Sequence, residues 1–394
     1  MIAAALLLAV SFSNTAQVES IAVAGATLWA ATGGGVEQYD LAGGRRLRVY
    51  PIGPTHRIWS NDQGIHARTQ DAECILENDS FRCAPAAPVP PAVPSVMPIF
   101  RGARETARLA VAGKTVVATA GKGIWSNDQM LTPQGQICGN HVEALAEFRG
   151  KLWVGAFDGG LCVLEGDRFR AVSGPFRMIN DLRATEKGLY VASAEGLYFT
   201  RDGRRFRREN RIRERAVNRL AASGRWLFAT SPFALYAVRL DGRTVRRWRR
   251  PGGSTALQSV TVSGPNLWLA SEDVGVIRMR RGKFAIFDRA SGLPSSWVID
   301  VAPAAGGGVW AATLRNGSVH LDAKGTVNEL GSDPHAWGLR LYQDRGRMLF
   351  GTQQGIEGAP VKLPDPHVHA ILRTRDGLWI GTEGGLVLLD DVSG

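Results

Sequence analysis

Short apolar runs of about five residues, separated by turns carrying Gly, Asp or Asn, recur along the chain with no helical period. The clearest is Leu378-Trp379-Ile380-Gly381-Thr382, followed by Gly384-Gly385-Leu386-Val387-Leu388-Leu389. The same five slots read Leu28-Trp29-Ala30-Ala31-Thr32, Leu152-Trp153-Val154-Gly155-Ala156, Leu189-Tyr190-Val191-Ala192-Ser193, Leu267-Trp268-Leu269-Ala270-Ser271 and Val309-Trp310-Ala311-Ala312-Thr313. Weaker copies begin at Ile65, Val116, Leu227 and Met348, which makes ten at a spacing of about forty residues.

Each copy continues through a Gly turn, a second apolar run, a turn such as Glu165-Gly166-Asp167 or Arg201-Asp202-Gly203, and a mixed strand. A further run, such as Val142 to Phe148, precedes each copy and supplies a fourth strand. Four antiparallel strands in about forty residues make one blade of a β-propeller. The pattern therefore predicts an all-β chain: a single β-propeller of about ten, within a range of eight to ten, four-stranded antiparallel blades over residues 17–394. The Leu-Trp strand is apolar on both faces, as expected between neighbouring sheets. Its fourth slot is usually Gly or Ala, which suits sheets crowded near an axis, and its second is aromatic in seven of ten copies. Blade two breaks the rule with His66 and Arg68.

The stretch Asp376-Gly377-Leu378-Trp379-Ile380-Gly381-Thr382-Glu383-Gly384-Gly385-Leu386, with Gly292-Leu293-Pro294-Ser295-Ser296 leading into Val301, resembles the two-component regulator propeller repeats. The resemblance covers nearly all of residues 18–391 and implies a periplasmic or extracellular sensor module, often fused to a histidine kinase. No kinase segment is present here, so a signalling role implies a separately encoded kinase. Propellers host many chemistries, and the resemblance speaks more to fold than to function.

A chain of 394 residues would ordinarily divide into two or three domains, but the unbroken repeat argues for one ring. Residues 1–16 read as a secretory signal peptide with an apolar core, Ile2 to Val10, although no Lys or Arg precedes it; the alternatives are a clipped gene start or a first strand. No other run approaches a membrane span. Cys74 and Cys83 fall opposite each other if Asn78-Asp79 forms a hairpin turn, so a disulfide is geometrically reasonable, and Cys138 with Cys162 offers a second; four buried thiols are the alternative. A proline-rich insertion, residues 84–98, separates blades two and three and reads as a connector. Blade nine is abbreviated, and blade ten lacks an obvious fourth strand.

Charge changes the picture only locally. Between Arg201 and Arg250 sixteen arginines face four acids, which accounts for the whole formal excess of +11. Arg204, Arg205, Arg246, Arg247, Arg249 and Arg250 fall in turn and outermost-strand positions, where they offer either an anionic docking surface or a soluble basic rim. Nucleic acid is disfavoured, because few aromatic residues interleave the arginines.

Nine residues before the Leu-Trp motif, eight of ten copies carry a polar residue, including His56, Glu143, Asn180, Asn218, Gln258, Asp300 and His369. Repeat register places these at one height around the channel mouth, with Trp297, Trp337, His141, His335 and His367 in the adjoining turns. Polar groups beside aromatic planes suit an oligosaccharide or another polar ligand, and the competing role is bonding to the neighbouring blade's backbone. His367 and His369 share a strand face, but spacing fixes no third metal ligand, and no cofactor motif is present. No Gly-x-Ser-x-Gly, His-Glu-x-x-His or phosphate loop occurs, so nothing points to catalysis. The expectation is a non-enzymatic periplasmic or secreted propeller binding a polar ligand or a partner protein. Two alternatives are a propeller lyase or hydrolase using His, Glu and Asp at the mouth, and a structural envelope protein docking anionic polymers through its arginine-rich flank.

Overall fold

The computed structural model describes residues 9–87, 99–100, 103–111, 113–126, 129–132, 135–357, 361, 363 and 365–389. Ten antiparallel sheets follow one another, one for each sequence repeat. In each, the run that precedes the Leu-Trp motif is the first strand, and the Leu-Trp strand pairs beside it as the second; Val142–Phe148 against Lys151–Ala156 is typical. Among the described residues blade nine has three strands, in keeping with its abbreviation. The proline-rich insertion falls largely outside the described residues; its first two residues, Ala84 and Pro85, end the strand Ser80–Pro85.

The sheets divide into two compact units, residues 12–140 and residues 141–394 with 1–11. In the latter, the first strands of blades four to ten pack against one another in chain order, and Val368–Thr374 of blade ten packs back on Val142–Phe148 of blade four. These seven sheets are a closed cycle. The ten-sheet repeat is thus present, and within it blades four to ten close on one another. The seam uses the same joint as its neighbours. A Cβ on Gly381 would lie 2.5 Å from Val142 Cγ1, one on Gly155 2.4 Å from Ile179 Cγ2, and one on Gly351 2.8 Å from Val368 Cγ1. Glycine at the fourth slot admits the β-branched side chain of the next blade.

The fourth strand of blade ten is Ala9–Phe12, paired outside Gly385–Leu389. Ala9–Phe12 covers the edge that Gly385–Leu389 would otherwise expose; residues 1–8 of the stretch read as a leader lie outside the described residues. Just beyond it, Asn14 Nδ2 donates to Ile137 O at 2.7 Å and Thr15 N to Gln136 Oε1 at 2.6 Å.

Between blades the core is built from the slots that the pattern marked. Trp268 and Trp379 are fully buried, and Trp153 joins Ile179, Leu182 and Val191 across blades four and five. Each such side chain contributes on the order of 2–3 kcal/mol by leaving water. The Ser or Thr at the fifth slot donates to a glycine carbonyl in the following turn, at 2.8 Å for Thr32, 3.0 Å for Ser193 and 2.9 Å for Thr382. The recurring hydroxyl thus closes the hairpin.

In unit 12–140, sheet one packs on both sheet two and sheet three. Ile58, Ile65, Ala67 and Cys74 of sheet two face Trp29, Ala31 and Val36 of sheet one. Alternation puts His66 and Arg68 on the other face, where both are largely buried, at 8% exposure for His66 and 18% for the Arg68 side chain. There His66 stacks on Trp59 at 5.3 Å, and Arg57 lies 5.5 Å above the same indole. The irregular repeat is thus a sheet with one apolar face. Cys74 and Cys83 form a disulfide across the Asn78-Asp79 turn, with Cα atoms 4.0 Å apart. Cys138 and Cys162 are not disulfide-bonded, so the second bridge considered from sequence does not form.

Candidate functional site

The first strands of the seven-sheet unit share a bulge near their start, seen between Val142 and Ala144, Ile179 and Asp181, Val298 and Asp300, Gly338 and Arg340, and Val368 and Ala370. A bulge leaves an extra residue and re-aims the side chains around it. It separates two levels. The outer level holds Glu143, Asn180, Asn218, Gln258 and His369; one residue further along lie Asp181, Arg219, Ser259, Asp300 and Arg340. Asp300 thus belongs to the second level, because the longer turn Ala305–Gly307 displaces the nine-residue count in blade eight.

Several members of these levels tie blades together. Asn180 Nδ2 donates to Val217 O at 2.9 Å and Asn218 Nδ2 to Leu257 O at 2.6 Å. Asp181 accepts from Leu220 N at 2.7 Å, while Asp300 accepts from Ser259 Oγ at 2.6 Å and Leu341 N at 3.0 Å. Each bond satisfies a buried group that would otherwise cost free energy. Gln258 Nε2 donates to Glu272. Below the mouth a cavity of about 370 Å³ is lined by Asp181, Arg183, Arg219, Ser259, Asp300 and Arg340, among others. Arg340 stands 4.0 Å from Asp300; burial and the charge of Arg219 push its guanidinium below its ordinary value.

At the seam between blades four and ten the outer level carries a compact cluster. Glu143 Oε1 lies 3.0 Å from His141 Nε2 and 3.3 Å from His369 Nδ1, and His369 Nε2 lies 3.2 Å from Glu383 Oε1. The two imidazole rings are 4.8 Å apart, and Phe157 flanks His141 at 5.5 Å. Arg219 reaches the other oxygen of Glu143 at 3.4 Å and donates to Asn180 O. Burial pushes the Glu143 carboxyl up, but the bond from His141 and the charges of His369 and Arg219 outweigh it and hold it well below the usual range. Burial lowers His141, yet Glu143 wins and raises it. His369 holds Glu383 below the ordinary carboxylate value. Beside them, His367 Nδ1 lies 2.9 Å from Asp365 Oδ1.

The remaining expected residues lie elsewhere. His56 is exposed on Thr55–Asn61 of the other unit. Trp297 is 45% exposed in the turn before Val298–Pro303, and Trp337 N donates to Gln353 Oε1 at 2.6 Å while Arg315 sits 5.0 Å over its ring. Sequence register did not single out Asp181, Arg219, Ser259 and Arg340; charged residues inside otherwise apolar strands were the available signal. The arginine-rich flank is the outer edge of blades five and six: Val245–Arg249 is largely exposed, Arg246 lies 5.8 Å over Trp226, and Arg247 pairs with Glu214. The backbones of Arg204 and Arg205 donate to Asp202 Oδ1 at 2.9 and 3.0 Å, leaving their exposed side chains in solvent.

The family model described as two component regulator propeller matches residues 362–384, the span that contains His367, His369 and Glu383. The chain carries a two-component regulator propeller repeat. That repeat's fold is shared with an extracellular domain assigned to a hybrid two-component system of B. thetaiotaomicron, at 11% identity and a TM-score of 0.52, covering 96% of this chain and 70% of that one. It is also shared with PorZ, a surface component of the type-IX secretion system of Porphyromonas gingivalis, at 13% identity and a TM-score of 0.55, covering 95% of this chain and 62% of that one. No curated protein matches the repeat-bearing chain by sequence. Among the described residues no helix is long and apolar enough to cross a membrane.

Proposed function

We propose that this chain is a periplasmic or extracellular propeller that recognises a polar ligand, an oligosaccharide or a similar hydroxyl-rich molecule, at the channel mouth of its seven-sheet unit. The observation that carries the reading is the convergence of polar and charged side chains from consecutive blades on one end of the channel, above a cavity of about 370 Å³. Trp297 and Trp337 in the turns beside Val298–Pro303 and Gly338–Asp344 supply flat apolar surfaces suited to a sugar ring. The disulfide Cys74–Cys83 supports an oxidising compartment, and the two related folds belong to an extracellular domain and a surface component. The repeat supports a sensor role, with ligand occupancy read by a partner protein.

The test is a thermal-shift and calorimetric screen of the purified chain against an oligosaccharide panel. A ligand present at one hundred times its Kd stabilises by about 2.7 kcal/mol. Trp337→Ala and Gln258→Ala should weaken that binding without lowering the unliganded melting temperature. A panel that produces no shift, or binding indifferent to both substitutions, would contradict the reading.

The exposed strand Val245–Arg249 favours a second contact with an anionic envelope polymer. Retention on heparin that falls with salt, and is lost when Arg246, Arg249 and Arg250 are neutralised, is the expected result.

A further inference from the structure

We propose that His141, Glu143 and His369 form a binding site for a divalent transition metal of the zinc type, with Glu383 and Arg219 as its outer shell. The inference stands apart from the polar-ligand reading, since the site would take a metal whether or not a glycan binds nearby.

The donor set is two imidazoles and one carboxylate, the combination that suits zinc and leaves a fourth position open. Their donor atoms, His141 Nε2, Glu143 Oε1 and His369 Nδ1, lie within 4.8 Å of one another, and the carboxylate oxygen stands 3.0 and 3.3 Å from the two nitrogens. A metal bonded at roughly 2.0–2.2 Å holds its ligand atoms roughly 3–3.5 Å apart, so small movements of the rings suffice.

The outer shell is what distinguishes this cluster from a chance meeting of charged groups. His369 turns Nδ1 toward Glu143 and Nε2 toward Glu383 at 3.2 Å. A histidine that gives one nitrogen to a metal and the other to a carboxylate is held in a fixed tautomer and orientation. Glu143 is held likewise: one oxygen faces the histidines and the other faces Arg219 at 3.4 Å. The ligands come from blade four and blade ten, so the site exists only because those blades meet at the seam. Side-chain exposure of 30% for His141 and 16% for Glu143 and His369 leaves a path from the channel mouth.

Three protein ligands leave room for water or for an oxygen of a bound molecule.

The experiment uses the full chain stripped with chelator and dialysed above pH 7, then titrated separately with zinc and cobalt. One equivalent of zinc should bind, and cobalt should give the visible absorption of a low-coordinate nitrogen and oxygen site. His369→Ala should weaken zinc binding by more than about 100-fold, and Glu383→Gln by about 10–100-fold, the range seen for outer-shell partners. His335→Ala, outside the cluster, should change nothing. Far-ultraviolet circular dichroism of each variant without metal separates lost ligation from lost fold. Absence of stoichiometric zinc or cobalt uptake by the folded chain would overturn the proposal, as would uptake unaffected by His369→Ala or a preference for calcium or magnesium alone. A glycan screen without hits would leave this outcome untouched.

Discussion

The seven-sheet unit and the three-sheet unit are made from the same repeat, yet their sheets differ in what they hide. In blades four to ten each sheet has a neighbour on both faces, and strands such as Gly188–Ser193 and Gly377–Thr382 are buried at every position. In unit 12–140, sheet two packs on sheet one, and its strand Gly64–Thr69 carries His66 and Arg68 at the slots where blades of the closed cycle mostly carry an aromatic residue and Gly or Ala. In sheet two the polar residues at these slots find local partners, Trp59 for His66 and Glu73 for Arg68, where blades of the closed cycle interlock with the next sheet.

The sharpest way to break this comparison is to fill the glycine at the seam. Gly381→Val drives a side chain into Val142, whose Cγ1 and backbone O would lie 2.5 and 2.8 Å from the new Cβ. Destabilisation of about 3 kcal/mol is expected by denaturant unfolding, whereas Arg68→Val, which gives up the ion pair with Glu73 and the bond to Ala87 O, costs about 1 kcal/mol. Next in size is the disulfide. Replacing Cys74 and Cys83 by Ser removes a short-loop cross-link worth about 2–3 kcal/mol, and hydrogen exchange should accelerate in residues 55–85 but not in the strands of blades four to ten. The smallest effect concerns a joint between blades nine and ten. Arg373 donates to Asp344 at 3.1 and 2.6 Å and holds its carboxyl below the ordinary value. A depressed carboxylate stabilises the fold above its unfolded pKa of about 4 and loses that contribution as pH falls through its lower folded value. Asp344→Asn should therefore cost about 1 kcal/mol at pH 7 and flatten the acid limb of the stability curve below about pH 4.

The strands were legible because their evidence is local: five-residue apolar runs, turn glycines and a fixed period specify sheets without reference to the rest of the chain. The Cys74–Cys83 pairing was legible for the same reason, since nine residues of hairpin geometry place the two opposite each other. Closure was not legible. It depends on Val368–Thr374 meeting Val142–Phe148 from the far side of the unit, and on Ala9–Phe12 crossing to complete blade ten. No period in the sequence announces how many blades share an axis. The site inherits that blind spot. Glu143 and His369 were marked by register, but their contact requires blades four and ten to be neighbours, which register alone does not specify. Asp300 was marked for the outer level and lies one residue deeper because a longer turn shifts the count.

The central claim is that blade four and blade ten share a seam. The direct measurement is a cysteine cross-link between Val142→Cys and Gly381→Cys, whose Cβ atoms would stand 3.0 Å apart, below the roughly 3.5–4.5 Å that a disulfide spans, so that the bond forms once the two strands part by about 0.5 Å. Mild oxidation of the doubly substituted chain should yield one intramolecular 142–381 cross-link, mapped by mass spectrometry, with little product from either single variant. If the two positions stay unlinked in the folded protein, or link only between chains, blades four and ten do not meet and the candidate site has no basis.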